Sequence, residues 1–148
     1  MISLENIFLD IEAVDYRDVL KKEADLLYKA DYVNERYVCG LLEREEYSPT
    51  GLPTTPFGVA IPHTDPDYVI NPCIIILKLK KSVAFREMGN KESWINARYV
   101  FGLVFKDSKK QVPLLSQLMS LFGDLSSMEK LDRAKSREDI LQVIQGYL

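Results

Sequence analysis

The sequence contains one histidine, and its surroundings read Gly58-Val-Ala-Ile-Pro-His63-Thr-Asp65. Pro62 steers Ile61 away from the helical region, so the chain should arrive extended and end a strand just as His63 appears. A histidine at a strand end, before a polar loop, is presented at the surface where another macromolecule can reach it. Imidazole is substantially neutral at physiological pH. When one ring nitrogen donates a hydrogen bond, the other keeps its lone pair and can accept and return a phosphoryl group. A backbone carbonyl is the simplest acceptor for that hydrogen bond. A phosphorylated ring would carry a charge approaching about −2 and would need donors around it. On composition alone, the plainer reading of a loop histidine with no chemistry would stand.

Other chemistries find less support. There is no second histidine, no Cys-x-x-Cys, no Gly-x-Ser-x-Gly and no Gly-Lys-Ser/Thr phosphate loop, which disfavours a metalloenzyme, a serine hydrolase and a nucleotide-driven kinase. The two cysteines, Cys39 and Cys73, have no paired spacing; they suit a reducing compartment and read as structural thiols. With 19 Lys+Arg against 22 Asp+Glu, the net charge is −3 and the pI about 5.3, which argues against a general nucleic-acid binder. The amino terminus carries Glu5, Asp10, Glu12 and Asp15 and lacks the basic-then-apolar order of a secretory signal. The longest purely apolar run, Cys73 to Leu77, is far too short to span a bilayer, so a soluble, cytoplasmic protein is expected.

The elements that must position His63 follow from periodicity. Leu4, Ile7, Leu9 and Ile11 suit a first strand. Tyr16, Leu20, Ala24 and Leu27 then fall on one helical face. Asp31 is a candidate cap for a second helix, in which Tyr32, Val33, Tyr37, Leu41 and Leu42 recur up to the charged run Glu43 to Glu46. Ser48 to Pro56, rich in Pro, Ser and Thr, reads as an ordered loop. Val59 to Ile61 is too short for a helix. Cys73 to Lys80 reads as a strand buried on both faces at its start and on one at its end, with Val83 to Phe85 continuing it and Arg98 to Phe105 as another β-rich run.

The last third is helical. Val112, Leu115, Leu118, Met119 and Phe122 suggest a core-facing stripe that stops at Gly123; Ser126 with Glu129 suggests a capping box. Ser136 can cap a final helix whose Ile140, Val143, Ile144 and Tyr147 face inward. With 148 residues, 47% hydrophobic, these elements predict one α/β domain over 1–148, with a central mixed β-sheet flanked by helices.

The segment LEREEYSPTGLPTTPFGVAIPHTD resembles the active-site region of the enzyme IIA components of the bacterial phosphoenolpyruvate-dependent sugar phosphotransferase system, in the fructose–mannitol superfamily. The order Arg-Glu, Pro-Thr-Gly, Ala-Ile-Pro-His carries the resemblance, which extends along essentially the whole chain. It implies the mannitol-type enzyme IIA architecture and a phosphoryl relay: phospho-HPr donates, His63 accepts, and a partner enzyme IIB receives, ahead of the membrane enzyme IIC. It also implies that Arg44 binds or stabilises phosphate, a role its planar donors suit. Taken alone, Arg44 is an ordinary cation in a solvated run near a helix end. No metal or diffusible cofactor is implied, because phosphohistidine stores the group covalently.

Many members of the superfamily carry a second histidine in a His-x-x-Leu-Leu setting, and here that setting reads Gln111-Val-Pro-Leu-Leu115. Glutamine cannot be phosphorylated, yet its amide can donate to a phosphate oxygen. Ser108 and Gln111 also fit a capping box, and either reading puts Gln111 near a helix N-terminus, where backbone N–H groups meet anions. The substitution, with the Leu-Pro-Thr-Thr-Pro-Phe segment, resembles the galactitol-type branch; fructose or mannitol are the other sugars considered. Phe57, Val59 and Val69 are candidate docking residues. A IIA-like regulatory module, and a IIB role for Cys39 or Cys73, are the rival readings.

Overall fold

The computed structural model describes residues 2–107, 109 and 111–148. Alternation along one strand sets its layers. In β4 (Cys73–Glu87), the side chains of Cys73, Ile75, Leu77 and Leu79 pack with helices α1 (Tyr16–Lys29) and α2 (Tyr37–Tyr47). Ile74 and Ile76 face α3 (Gln111–Phe122), α4 (Leu125–Arg133) and α5 (Arg137–Gln145). A strand that is apolar on both faces must be covered on both, which gives helices on either side of one sheet.

The sheet is mixed, as expected. β5 (Asn90–Val104) runs antiparallel to β4 from Cys73↔Val104 to Glu87↔Asn90, with a register shift between Lys78 and Val83. β1 (Ile7–Ile11) lies parallel to β4, with Ile7 opposite Ile76. β3 (Gly58–Ala60) lies parallel to β5, with Ala60 opposite Val100. β2 (Gly51–Leu52) pairs antiparallel with β3 and meets β4 at Glu87. Among the described residues no helix is long and apolar enough to cross a membrane.

Several local expectations give way to tertiary demands. Asp31 does not cap α2: it takes φ 62°, and the next residues extend so that Val33 bridges Val69 in antiparallel fashion. The helix therefore begins at Tyr37, after Arg36. In α3 the buried stripe is Leu114, Leu118, Leu121 and Phe122, while Val112 and Met119 are exposed. Ser126 lies inside α4, whose N-cap is Asp124. The Ser108 half of the suggested capping box lies outside the described residues. Ser136 does cap α5, its side chain accepting from the Asp139 N–H at 3.1 Å.

Lys78 departs most from its sequence appearance. It is buried, and its Nζ donates to the carbonyls of Leu131 (3.3 Å), Asp132 (3.0 Å) and Ala134 (2.6 Å), where α4 ends. A cation at a helix C-terminus satisfies carbonyls that have no partner within the helix and meets the negative end of its dipole. The Tyr99 hydroxyl also donates to Leu131 O, at 2.7 Å.

Candidate active site

The last turns of α2 face two ways. Gly40, Glu43, Arg44 and Tyr47 recur at three- and four-residue intervals and line a cleft of about 500 Å³. Glu45 points away from the cleft and is buried. Its carboxylate accepts from the Thr50 N–H at 2.9 Å and from the Thr50 hydroxyl at 3.0 Å, which draws the chain after the helix into a tight return. Burial pushes the Glu45 carboxyl up to about 7, against the lowering effect of the two Thr50 hydrogen bonds and of Arg44. Gly51 follows, where a Cβ would sit 2.6 Å from the Arg86 carbonyl oxygen, so only glycine lets β2 approach β4.

The same return holds the strand that presents His63. The Ile61 N–H donates to Thr50 O at 3.2 Å, and the Leu103 N–H donates to Pro62 O at 3.0 Å. The peptides on either side of the Ile61–Pro62 bond are thereby fixed as the chain leaves β3. His63 Nδ1 lies 2.9 Å from Ile61 O. A carbonyl can only accept, so Nδ1 carries the proton and Nε2 keeps its lone pair. Partial burial lowers the His63 pKa below the usual 6.5; the Ile61 hydrogen bond opposes this, and the Arg44 charge adds to the lowering. The ring is neutral at physiological pH.

His63, Arg44 and Gln111 all line this one cleft. Gln111 is the first residue of α3 and lines the cleft there. Thr64 and Tyr68, beyond His63, complete the wall nearest α2. That wall requires Gly40: a Cβ there would lie 2.5 Å from Tyr68 Cε2 and 3.1 Å from Thr64 Oγ1. A neutral ring nitrogen with a free lone pair, a guanidinium and an amide around one open cleft can hold a transferable anion. Among the described residues, no group of three or more His, Cys, Asp or Glu side chains gathers to hold a metal.

Other expectations resolve differently. Val59 and Val69 are buried, and Phe57 packs against Tyr99 at 5.3 Å between ring centroids, so all three belong to the core rather than to a docking face. Among the described residues lining the cleft, the large exposed apolar side chain is Tyr47. Cys73 is buried and its thiol is pushed up to about 12, chiefly by burial, which leaves it unreactive; Cys39 is exposed on α2 outside the cleft lining. Sequence reasoning assigned nothing to Glu45 or Thr50. The available signal was their place in the Arg-Glu and Pro-Thr-Gly groups, where Glu45 looked like part of a solvated run.

The model of the family described as "Phosphoenolpyruvate-dependent sugar phosphotransferase system, EIIA 2" matches residues 1–147. The chain belongs to that family. This enzyme IIA chain is 28% identical over 146 residues to the mannitol-specific phosphotransferase enzyme IIA component of Bacillus subtilis (strain 168), covering 97% of this chain and 95% of that one. It is also 28% identical over 145 residues to the PTS system mannitol-specific EIICBA component of Escherichia coli (strain K12), where it covers 96% of itself and spans only 22% of the relative. Other relatives are named for fructose and for ascorbate. Among solved structures it resembles the complex of enzyme IIAMTL and phosphorylated enzyme IIBMTL from Escherichia coli, with a TM-score of 0.81 and 26% identity over 99% of this chain and 98% of that one.

Proposed function

We propose that this domain is a cytoplasmic phosphoryl carrier of the sugar phosphotransferase system, loaded at His63 Nε2 by phospho-HPr and unloaded by an enzyme IIB. In loading, the Nε2 lone pair attacks phosphorus, the Nε2–P bond forms, and the bond between phosphorus and the donor's ring nitrogen breaks. Unloading reverses the roles, with the acceptor side chain of IIB as nucleophile. Arg44 and the Gln111 amide bind the phosphoryl oxygens in both steps, and the Ile61 carbonyl retains the Nδ1 proton throughout. The carrying observation is the 2.9 Å approach of His63 Nδ1 to Ile61 O, which dedicates the other nitrogen to chemistry. The relative captured with phosphorylated IIB supports the choice of acceptor. An acidic domain of net charge −3 suits a donor with a basic docking surface.

For the sugar, the mannitol, fructose and ascorbate names of the relatives favour a carrier of that group. Galactitol rests only on Gln111 and the Leu52–Phe57 segment, and the relatives' names lend it no support. The test is incubation with phosphoenolpyruvate, enzyme I and HPr, which should add one acid-labile phosphate per chain. A His63→Ala variant that labels normally would end the proposal.

A further inference from the structure

A chain of hydrogen bonds runs from the buried side of α2 to the reactive ring. Glu45 holds the Thr50 N–H (2.9 Å) and hydroxyl (3.0 Å); Thr50 O holds the Ile61 N–H (3.2 Å); Ile61 O holds the His63 Nδ1 proton (2.9 Å). Glu45 and Thr50 are 3% and 2% exposed, so water does not compete for these contacts. A carboxyl in the core is costly unless its oxygens are satisfied, and here both donors come from a single residue, Thr50. The arrangement spans the three sequence groups around the site and ends on the one proton that decides which ring nitrogen can attack.

We infer that Glu45 is a positioning residue for phosphoryl transfer: through Thr50 it fixes the backbone of Ile61 at its N–H, and the Ile61 carbonyl, on the next peptide unit, keeps the His63 proton on Nδ1. This rests on the reading of His63 as the carrier. Without the Glu45 anchor, the Thr50 peptide turns, Ile61 O leaves the line of the Nδ1–H bond, and the imidazole populates both tautomers. The tautomer protonated at Nε2 has no lone pair there and cannot accept phosphorus. Arg44, the adjacent residue, touches the cleft directly; Glu45 acts only through the backbone.

The experiment compares wild type with Glu45→Met and Glu45→Leu, which fill the space without offering an oxygen acceptor, and Glu45→Gln, whose side-chain carbonyl still accepts from Thr50. Long-range proton–nitrogen correlation spectra of the unphosphorylated protein read the His63 tautomer, and single-turnover transfer from phospho-HPr reads the rate. Glu45→Met and Glu45→Leu should give mixed tautomers, with transfer slowed roughly ten- to a hundredfold, the range found when an outer partner that orients an imidazole is removed. Glu45→Gln should retain both the single tautomer and the rate. Folded Glu45→Met with one tautomer and the wild-type rate would overturn the inference. If Glu45→Met does not fold, the spectra of Glu45→Leu decide the matter by the same criterion. Labelling of His63→Ala would instead strike the carrier reading, while the tautomer of the unphosphorylated ring still reports on Glu45.

Discussion

The carbonyl oxygen of Ile61 holds the Nδ1 proton of His63, two residues further along the chain, at 2.9 Å. The bond is short in sequence, but Ile61 is itself held by Thr50 O through its N–H at 3.2 Å, so the aim of its carbonyl depends on that anchor.

The first prediction is the titration of that ring. Its pKa is lowered below 6.5, mainly by partial burial and further by Arg44, so the neutral nucleophile persists into mildly acidic solution. A group with a depressed folded pKa contributes stability above its unfolded value and loses it as pH falls through the folded one. The acid fall in transfer from phospho-HPr should therefore have its midpoint below that of an ordinary imidazole. Arg44→Ala should move the midpoint upward. A wild-type midpoint above 6.5 in an NMR titration would contradict the electrostatic account.

Arg44 and Gln111 should separate function from folding. The Arg44 side chain is exposed in the cleft, so Arg44→Ala should change stability by no more than about 0.5 kcal/mol. Its loss should nevertheless slow transfer roughly a hundredfold, equivalent to the removal of about 3 kcal/mol of charge-assisted binding in the transition state. Gln111→Ala should cost less, since its neutral amide offers weaker donors. Stopped transfer assays alongside urea midpoints check both, and equal losses of rate and stability would refute the separation.

The path to the cleft was partly legible in the sequence. Pro62 announced the strand end, the β4 alternation announced two covered faces, and Ser136 announced the start of α5, because each effect acts within a few residues. Asp31 gave the wrong cap, and the buried roles of Lys78 and Glu45 left no local signal, for one common reason. Each is a polar residue whose partner is distant in sequence or whose surroundings are set by packing: Lys78 meets carbonyls more than 50 positions away, and Glu45 is buried by the loop it restrains. The α3 stripe was displaced because Leu, Val and Met at several phases could each have faced the sheet, and the sheet selected Leu114, Leu118 and Leu121.

Gly40→Ala tests the wall formed by Tyr68. Within a helix the change gains about 1 kcal/mol of propensity, but the new Cβ meets the Tyr68 ring at 2.5 Å. Tyr68 is half-buried and can tilt outward, so the two effects should nearly cancel in stability. The segment from Thr64 to Tyr68 would move with the ring, and transfer should slow while the urea midpoint changes little. An unaltered rate would mean that this wall does not shape the transfer geometry.

Lys78→Met is the corresponding test away from the cleft. Removing the ammonium leaves the Leu131, Asp132 and Ala134 carbonyls without their donor, offset by the relief of a buried charge; a net loss of about 2 kcal/mol is expected. Transfer per folded molecule should be unchanged, because the residue lies against α4 and the cleft lining does not include it. A slower folded variant would reveal coupling between the two faces of the sheet.

The final prediction concerns the buried carboxyls between α1, α2 and the sheet. Glu45 rises to about 7 from an ordinary 4.5, and Glu23, fully buried near the Tyr37 hydroxyl at 3.5 Å, is also raised, in both cases chiefly by burial. An acid whose folded pKa exceeds its unfolded value stabilises most below the unfolded value and loses that contribution as pH rises through the folded one. For Glu45 the window is therefore pH 4.5 to 7. Asp18, Asp124 and Asp139, whose pKa values are lowered by hydrogen bonds, act in the opposite sense at lower pH, so the raw stability curve mixes both signs. Subtracting the curve of Glu45→Gln isolates the one group. Across that window wild type should lose up to about 3 kcal/mol relative to the variant, since each tenfold change in proton affinity is worth about 1.4 kcal/mol. Parallel urea-midpoint curves from pH 4.5 to 7 would mean that Glu45 is ionised in the folded protein throughout, held by Thr50 and Arg44 more strongly than burial opposes it.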